Sequence, residues 1–430
     1  MKLPTQAYKG SRDFYPEDKR IQKYMFSVMR EACERFGYEE YDAPILEPTD
    51  LYLVKGNEEI INEQTYTFKD RSNRSVTIRT EMTPTVSRMV AARRQELVYP
   101  VRWYSIPNLW RYERPQRGRL REFWQLNVDI FGVAGLEAEH EVIQLADELM
   151  KCYGATEDMY AIKLNSRKLM NYIFQKYVAL TQDQAGKTAK LIDRMQKIPQ
   201  EEFSKLLEEL LGEQKAGKLL DILHVKSLDD LPEEVREQLA WKDLNQLCNL
   251  LRENGITNAE FDITIMRGFD YYTDIVFEVF DKNPENNRSM FGGGRYDGLV
   301  SQFGVEPVPT VGFGMGDVTL QNFLETHKLL PKFHTETDAY VVLIGDVYEK
   351  AARAISALRA GGLNVAVDLS GRKADRQIKS AVKKGVPLAI FIGENELSAG
   401  KFVVRNLETG VESTANIEEA IKIVKDSHCQ

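Results

Sequence analysis

The sequence predicts an α+β fold: a largely antiparallel sheet flanked by helices, a helical insertion within it, and a small α/β domain at the carboxyl end. Three observations carry this. Runs of strand formers separated by turn residues lie on both sides of residues 165–255. Within that interval Leu, Lys, Glu and Gln take over at helical spacing, broken at Pro199, Gly212 and Pro232. Beyond residue 338, apolar runs alternate with helix-length segments, the pattern of a mainly parallel core. The expected limits are therefore 1–328 for the first domain, 165–255 for its insertion, 329–337 for a linker and 338–430 for the last domain.

After Pro16, apolar residues at Ile21, Met25, Val28, Met29, Ala32 and Phe36 fall on one helical face, and Gly37 suits a left-handed cap. Strands are expected at residues 66–68 and 76–78. Residues 101–106 and 123–131 frame a hairpin bent at Gly118, and a helix from about 136 to 152 stops at Gly154. Past the insertion, 260–266 and 275–280 read as strands; a glycine turn at 292–294 leads to a strand at 311–316 and a helix containing Leu320, Phe323 and Leu324. Residues 329–337 lack periodicity and contain Pro331. The last domain reads as a strand at 339–344, a helix ending at Gly361 and Gly362, a strand at 365–367, a basic helix, a strand at 388–392 and a closing helix near 417–424.

A chain of 430 residues with 43% hydrophobic content can bury two or three cores. Its net charge of −8 would argue against a nucleic-acid partner if the charge were uniform, but it is not. One basic cluster lies in the hairpin. The other comprises Arg372, Lys373, Arg376, Lys379, Lys383 and Lys384, interrupted by Asp375, and a solvated helix face would account for it equally well. The four cysteines are far apart with no CxxC, and the five histidines form no HxxxH or HExxH, so neither a disulfide framework nor a zinc site is expected. A reducing cytoplasm fits best. With no apolar signal core and no stretch of about 20 apolar residues, neither secretion nor membrane spanning is expected.

Two segments hold charges that strands do not need: RYERPQRGRLREFWQ (111–125) and RGFDYYT (267–273). The first places five arginines around a glycine bend. Arginine forks match phosphate oxygens two at a time, and Gly118 lets a ligand approach the backbone, so nucleotide or nucleic-acid phosphates are the expected partners. The structural alternative is a hairpin edge protected by charge.

The first segment resembles motif 2 of class II aminoacyl-tRNA synthetases, and the second resembles a signature of the histidyl-tRNA synthetases. KGSRDFYP (9–16) resembles that family's amino-terminal stretch, and residues 36–47 resemble motif 1, a helix and strand used for dimerisation. TIRTEMT (77–83) resembles the strand end that recognises the amino group, and GGGRYDGL (292–299) a second histidine-specific segment. The resemblance covers nearly the whole chain. It implies a class II catalytic core, an insertion that reaches toward the tRNA acceptor arm, and an anticodon-binding domain at 338–430. It also implies ATP-dependent joining of L-histidine to its tRNA through a histidyl-adenylate, Mg2+ accompanying ATP, no organic cofactor and a homodimer.

Carried over by matching positions, Arg111 would hold the α-phosphate and carboxylate, Glu113 would face adenine, and Arg119 and Arg121 would join them around ATP. Arg267 would add charge beside the α-phosphate. Histidine would be held by Glu81, Thr83, Gln125, Asp129, Arg267, Tyr271, Tyr272 and Tyr296, a mixture of acceptors and hydroxyls suited to imidazole. Arg114, Gln116, Arg117, Arg372, Lys379, Lys383 and Lys384 would meet tRNA.

Two positions depart from the family pattern. Asp129 stands where glutamate is common, and Thr319 stands where motif 3 carries an arginine that contacts ATP. Arg119, Arg121 and Arg295 are the candidates to compensate. The alternative implied by Thr319 is a catalytically inactive paralogue, such as an ATP phosphoribosyltransferase regulatory subunit. A dinucleotide-dependent enzyme is disfavoured because Gly312, Gly314 and Gly316 lack the G-x-G-x-x-G spacing and no GxxxxGK[ST] loop occurs.

Overall fold

The computed structural model describes residues 3–53, 64–195, 198–266, 271–286 and 288–427. It divides into two units, Met1–Leu330 and Pro331–Gln430. In chain order the strands of the first unit are β1 (Glu39–Glu40), β2 (Leu46–Pro48), β3 (Tyr66–Lys69), β4 (Ser75–Ile78), β5 (Val101–Ser105), β6 (Asn108–Trp110), β7 (Glu122–Phe131), β8 (Tyr160–Ser166), β9 (Ala259–Phe261), β10 (Ile275–Asp281), β11 (Ser289–Arg295) and β12 (Thr310–Gly316). The large sheet runs β1-β5-β7-β12-β11-β10-β8-β9 with β6 also on β7, and β2-β4-β3 form a small separate sheet. Only the outermost pairings, β1 with β5 and β8 with β9, are parallel.

The period of two along β7 decides how the sheet is used. Leu126, Val128 and Ile130 enter a core with Met25 and Met29 of the Pro16–Arg35 helix and with Val142, Leu145 and Leu149 of the Glu137–Cys152 helix. Each such fully buried side chain contributes on the order of 1.5–3 kcal/mol. The alternate residues, Gln125, Asn127 and Asp129, are therefore left on the opposite face. The first helix begins at Pro16, earlier than its apolar stripe requires, because proline at the first helical position needs no hydrogen-bond acceptor. It ends before Gly37, whose φ is +76°.

The insertion contains helices Gln182–Asp193, Gln200–Leu211, Glu213–Leu223 and Leu239–Glu253, with Pro199 and Gly212 at helix boundaries. Leu244, Leu247 and Leu251 of the last of these join the same core.

Two strands differ from the sequence expectation. The run 101–106 does not continue straight into the hairpin: β5 and β6 are separate strands that both pair with β7, with Pro107 between them. The strand expected at 260–266 stops at Phe261. Asp262 accepts hydrogen bonds from Thr264 N–H at 2.9 Å and from its hydroxyl at 2.6 Å, and this local turn replaces the ladder.

In the second unit, β13 (Ala339–Ile344), β14 (Val365–Val367), β15 (Leu388–Gly393), β16 (Phe402–Asn406) and β17 (Glu412–Ala415) form a sheet of order β14-β13-β15-β16-β17. The expected parallel pairing holds for β14, β13 and β15, whereas β16 and β17 add an antiparallel hairpin that the sequence reading lacked. That hairpin has exposed residues at Glu412, Ser413 and Thr414, so its apolar signal is weak.

Each unit has its own apolar cluster: residues such as Met29, Leu145 and Phe323 in the first, and Val341, Leu358, Ile390 and Val424 in the second. Fragments ending at Leu330 and beginning at Pro331 are expected to unfold cooperatively on their own. Calorimetry of the two fragments checks this; a broad transition without a heat-absorption peak in either contradicts it.

Candidate active site

The site is built on a floor without side chains. Asp129 lies opposite Gly312 and Asn127 opposite Gly314; on the other side of β12, Gly294 pairs with Gly312 and Gly292 with Gly314. Directly opposed residues of antiparallel strands share a face. The four glycines thus leave a bare patch between Gln125 and Asp129 at one side and Glu278, opposite Gly292, at the other. A Cβ on Gly312 would lie 2.1 Å from Asp129 Oδ1 and 2.5 Å from the Val128 carbonyl, so no side chain fits there.

Around Asp129 the polar groups converge. Asp129 and Glu81 are each 4% exposed. The Tyr296 hydroxyl donates to Asp129 Oδ1. The Tyr271 hydroxyl donates to Glu81 at 3.1 Å and lies 3.4 Å from Thr83 Oγ1. The rings of Tyr271, Tyr272 and Tyr296 stand 5.1–6.4 Å apart, enclosing the carboxylates. Burial pushes the Asp129 carboxyl up to about 7, against the opposing effect of its bond to Tyr296. Burial, with Glu81 alongside, also raises the Tyr271 and Tyr272 phenols, keeping them as hydroxyl donors. Arg267, Gly268, Phe269 and Asp270 lie outside the described residues.

Arg111 links this pocket to the hairpin. Its Nε donates to the Thr80 carbonyl at 3.0 Å, one residue before Glu81, and its guanidinium lies 5.3 Å over the Phe123 ring. The hairpin tip closes by reciprocal backbone bonds between Gln116 and Arg119, with Gly118 at φ +77°. Beside it lies a cavity of about 930 Å³ whose wall includes Gln116, Arg119, Glu278, Arg288, Met290 and Thr319. Glu113 is paired with Arg119 at 3.1 Å.

The expected nucleotide and tRNA residues are not all brought together. Arg121 turns to the other edge of the hairpin, 4.0 Å over the Tyr112 ring and bonded to the Tyr8 hydroxyl at 3.1 Å. Arg114 is exposed, and Arg117 donates to Asn286 Oδ1 at 3.0–3.1 Å. Of the three arginines expected to compensate for Thr319, Arg119 lines the cavity. Arg295 does not: it is 4% exposed and donates to Glu139, Val133 O and Gly135 O on the core side of the sheet. It points there because it is odd in the period that puts Gly292 and Gly294 on the site face.

In the second unit Arg372 donates to Asp368, Ser370 and Ser380, while Lys379, Lys383 and Lys384 are exposed on or just after the Ala374–Lys383 helix. The sequence reading missed Glu278 and Arg288. A charged residue inside the otherwise apolar 275–280 run was the available signal for the first.

Comparison with known proteins bears on this arrangement. Residues 10–318 match the family described as histidyl-tRNA synthetase, and residues 338–427 match the anticodon binding domain. The histidine–tRNA ligase of Leptospira biflexa is 40% identical over 99% of this chain and 98% of its own length. That of Pyrococcus furiosus is 36% identical over 98% and 99%. The crystal structure of histidyl-tRNA synthetase from Nostoc sp. PCC 7120 superposes with a TM-score of 0.83 at 23% identity, covering 99% of this chain and all of that one.

Asp129 supplies a pH test. The folded chain holds its proton up to about pH 7, whereas an unfolded aspartate ionises near pH ~3.9. Between those values the folded state binds more protons, so stability falls as pH rises through the window, by on the order of 2–4 kcal/mol. Denaturant titrations of ligand-free protein from pH 5 to 8 are expected to show this decline, and Asp129→Asn is expected to flatten it. An unaltered pH slope in the variant places the carboxylate's titration elsewhere.

Proposed function

The chain belongs to the histidyl-tRNA synthetase family, and we propose that it joins L-histidine to its tRNA, using ATP, through a histidyl-adenylate. The observation that carries this reading is the adjacency, on one glycine-floored sheet face, of a tyrosine-lined carboxylate pocket and the arginine hairpin, with Arg111 tied to both.

Adenylate formation requires the histidine carboxylate to attack the α-phosphorus while charge grows on phosphate oxygens and pyrophosphate leaves. Fixed cations supply most of such catalysis. Arg111, oriented by the Thr80 carbonyl and the Phe123 ring, is held in advance for that charge. Arg267 is assigned the same task by its match to the family signature. Asp129 with Tyr296, and Glu81 with Tyr271, offer the imidazole and the amino group their partners. An aliphatic amino acid would leave these buried groups unpaired, which is how the pocket rejects it. Magnesium would enter with ATP as part of that substrate and would offset charge on its phosphates, beside the arginines of the hairpin.

The anticodon-binding unit supports tRNA as the acceptor, with Lys379, Lys383 and Lys384 among its exposed cations. A homodimer through residues 38–47 is part of the proposal. Ile45 and Leu46 there are 48% and 43% exposed, and Phe68 on β3 of the same small sheet is 46% exposed, so that sheet presents apolar surface suited to a second copy. Among the described residues no helix is long and apolar enough to cross a membrane. The cytoplasm is the proposed compartment.

Pyrophosphate exchange with each of the twenty amino acids tests the reaction. Histidine alone is expected to support exchange; a well-folded protein without it is instead the inactive paralogue that Thr319 raised. Sedimentation at micromolar concentration tests the dimer, which Leu46→Glu is expected to dissociate. Fully active monomer in the unaltered protein contradicts that part of the proposal.

A further inference from the structure

Thr319 cannot serve as a phosphate ligand in the way an arginine at its position would. Its Oγ1 lies 2.8 Å from Met290 O and 3.1 Å from Gly316 O, so the hydroxyl is engaged with backbone. It ties the first turn of the Asp317–Thr326 helix to β11. Two residues before Met290 stands Arg288, in the wall of the same cavity of about 930 Å³ as Thr319 and Arg119.

Three arginines line that cavity, and their partners differ. Arg119 is paired with Glu113 at 3.1 Å. Arg117 is held by Asn286 and Thr326, with Glu285 at 3.9 Å. Arg288 donates to the neutral amide oxygen of Gln116 at 3.0 Å and, among the described residues, has no carboxylate partner. Its side chain is exposed to the cavity. A guanidinium in that state can exchange one neutral acceptor for a phosphate oxygen without breaking an ion pair, and its fork can take two phosphate oxygens at once.

We propose that Arg288 supplies, from the entrance of β11, the terminal-phosphate contact that motif 3 lacks at Thr319. The inference rests on the proposed ATP-dependent reading and deepens it. The cation lies at the entrance of the adjoining strand rather than on the helix, and the Thr319–Met290 hydrogen bond ties the two segments together. The Gln116 contact gives Arg288 a second consequence: ATP binding draws it from the hairpin tip onto the phosphates.

The test is ATP and AMP binding by calorimetry, which needs no turnover, followed by histidine-dependent pyrophosphate exchange. Arg288→Ala is expected to weaken ATP binding on the order of 10- to 100-fold, as for loss of a charge-assisted contact, while AMP binding changes by less than about 3-fold. In exchange, KM for ATP rises by a similar factor and KM for histidine stays near its wild-type value. Arg288→Lys retains part of the affinity. The decisive variant is Arg288→Ala with Thr319→Arg, in which restoring the motif 3 guanidinium recovers ATP affinity. Equal ATP affinity in wild type and Arg288→Ala overturns the inference, as does an equal loss for AMP and ATP. Arg288-dependent ATP binding without histidine-dependent exchange in the wild type overturns the proposed reaction and leaves the Arg288 contact standing.

Discussion

Burying Asp129 against β12 is the constraint on which the site depends. Its carboxylate occupies the volume that any side chain at position 312 would take, and Tyr296 provides its hydrogen bond. Isolated burial of a carboxylate is costly, so this one is kept partly neutral and partnered. The same two-residue period puts Leu126 and Val128 into the core beneath it. One strand therefore packs the helices and polarises the pocket, and neither task can shift register without undoing the other. β11 repeats the arrangement: Gly292 and Gly294 face the site, while Arg295 on the reverse pairs with Glu139 at 2.5 Å and pins the Glu137–Cys152 helix. Removing either partner of such a buried pair typically costs about 3–5 kcal/mol.

The hairpin is anchored unevenly. At its base, the Gly10 carbonyl accepts from Arg121 N–H at 2.8 Å and Glu122 N–H at 3.1 Å. Arg12 pairs with Asp317 at 2.6 Å; the other Asp317 oxygen accepts from Trp124 N–H, and Phe14 meets the Trp124 ring edge-on. Residues 8–14 thus bind hairpin and motif 3 helix together through part-buried contacts centred on the buried Asp317. At the tip, by contrast, Gln116, Arg117 and Arg119 are exposed, and so are their side-chain hydrogen bonds to Arg288, Asn286, Thr326 and Glu113. Exposed hydrogen bonds open at lower free energy than buried ones, so the base keeps Arg111 in place while the tip is able to rearrange around a nucleotide.

The sequence made legible what depends on periodicity and on whole motifs. The helical stripe of Ile21 to Phe36, the apolar strands of both units and the two glycine-bearing segments all carry their signal within a few residues. Strand ends were less legible, because the side chain of Asp262 competes with the ladder and Pro107 divides a β-forming run, and both effects are local and sterically specific. In the site, residue types pointed to Asp129, Tyr271 and Tyr296, but their partners could not be read, since Tyr296 reaches Asp129 across 167 positions. Arg295 illustrates the opposite failure. Beside a glycine run it looked available to a ligand, yet one step along a strand reverses the face, and its charge belongs to Glu139. Arg288 carried no motif signal, because its significance arises only from a cavity wall assembled from segments far apart in sequence.

The distribution of constrained and unconstrained cations matters more than the net charge of −8. In the anticodon-binding unit Arg372 is fixed by Asp368, itself 3% exposed and bonded to Tyr340 at 3.0 Å. Its fork is directional and already partly occupied, so a phosphate there must compete with Asp368. Lys379 and Lys383 stand one helical turn apart on the Ala374–Lys383 helix, exposed. Lysine is a compact, flexible charge that tracks a phosphate backbone without demanding one geometry. Under the proposed function, these lysines would supply salt-sensitive affinity for tRNA. Base selection would then have to come from groups held as rigidly as Arg372, at the ends of the strands in the same unit.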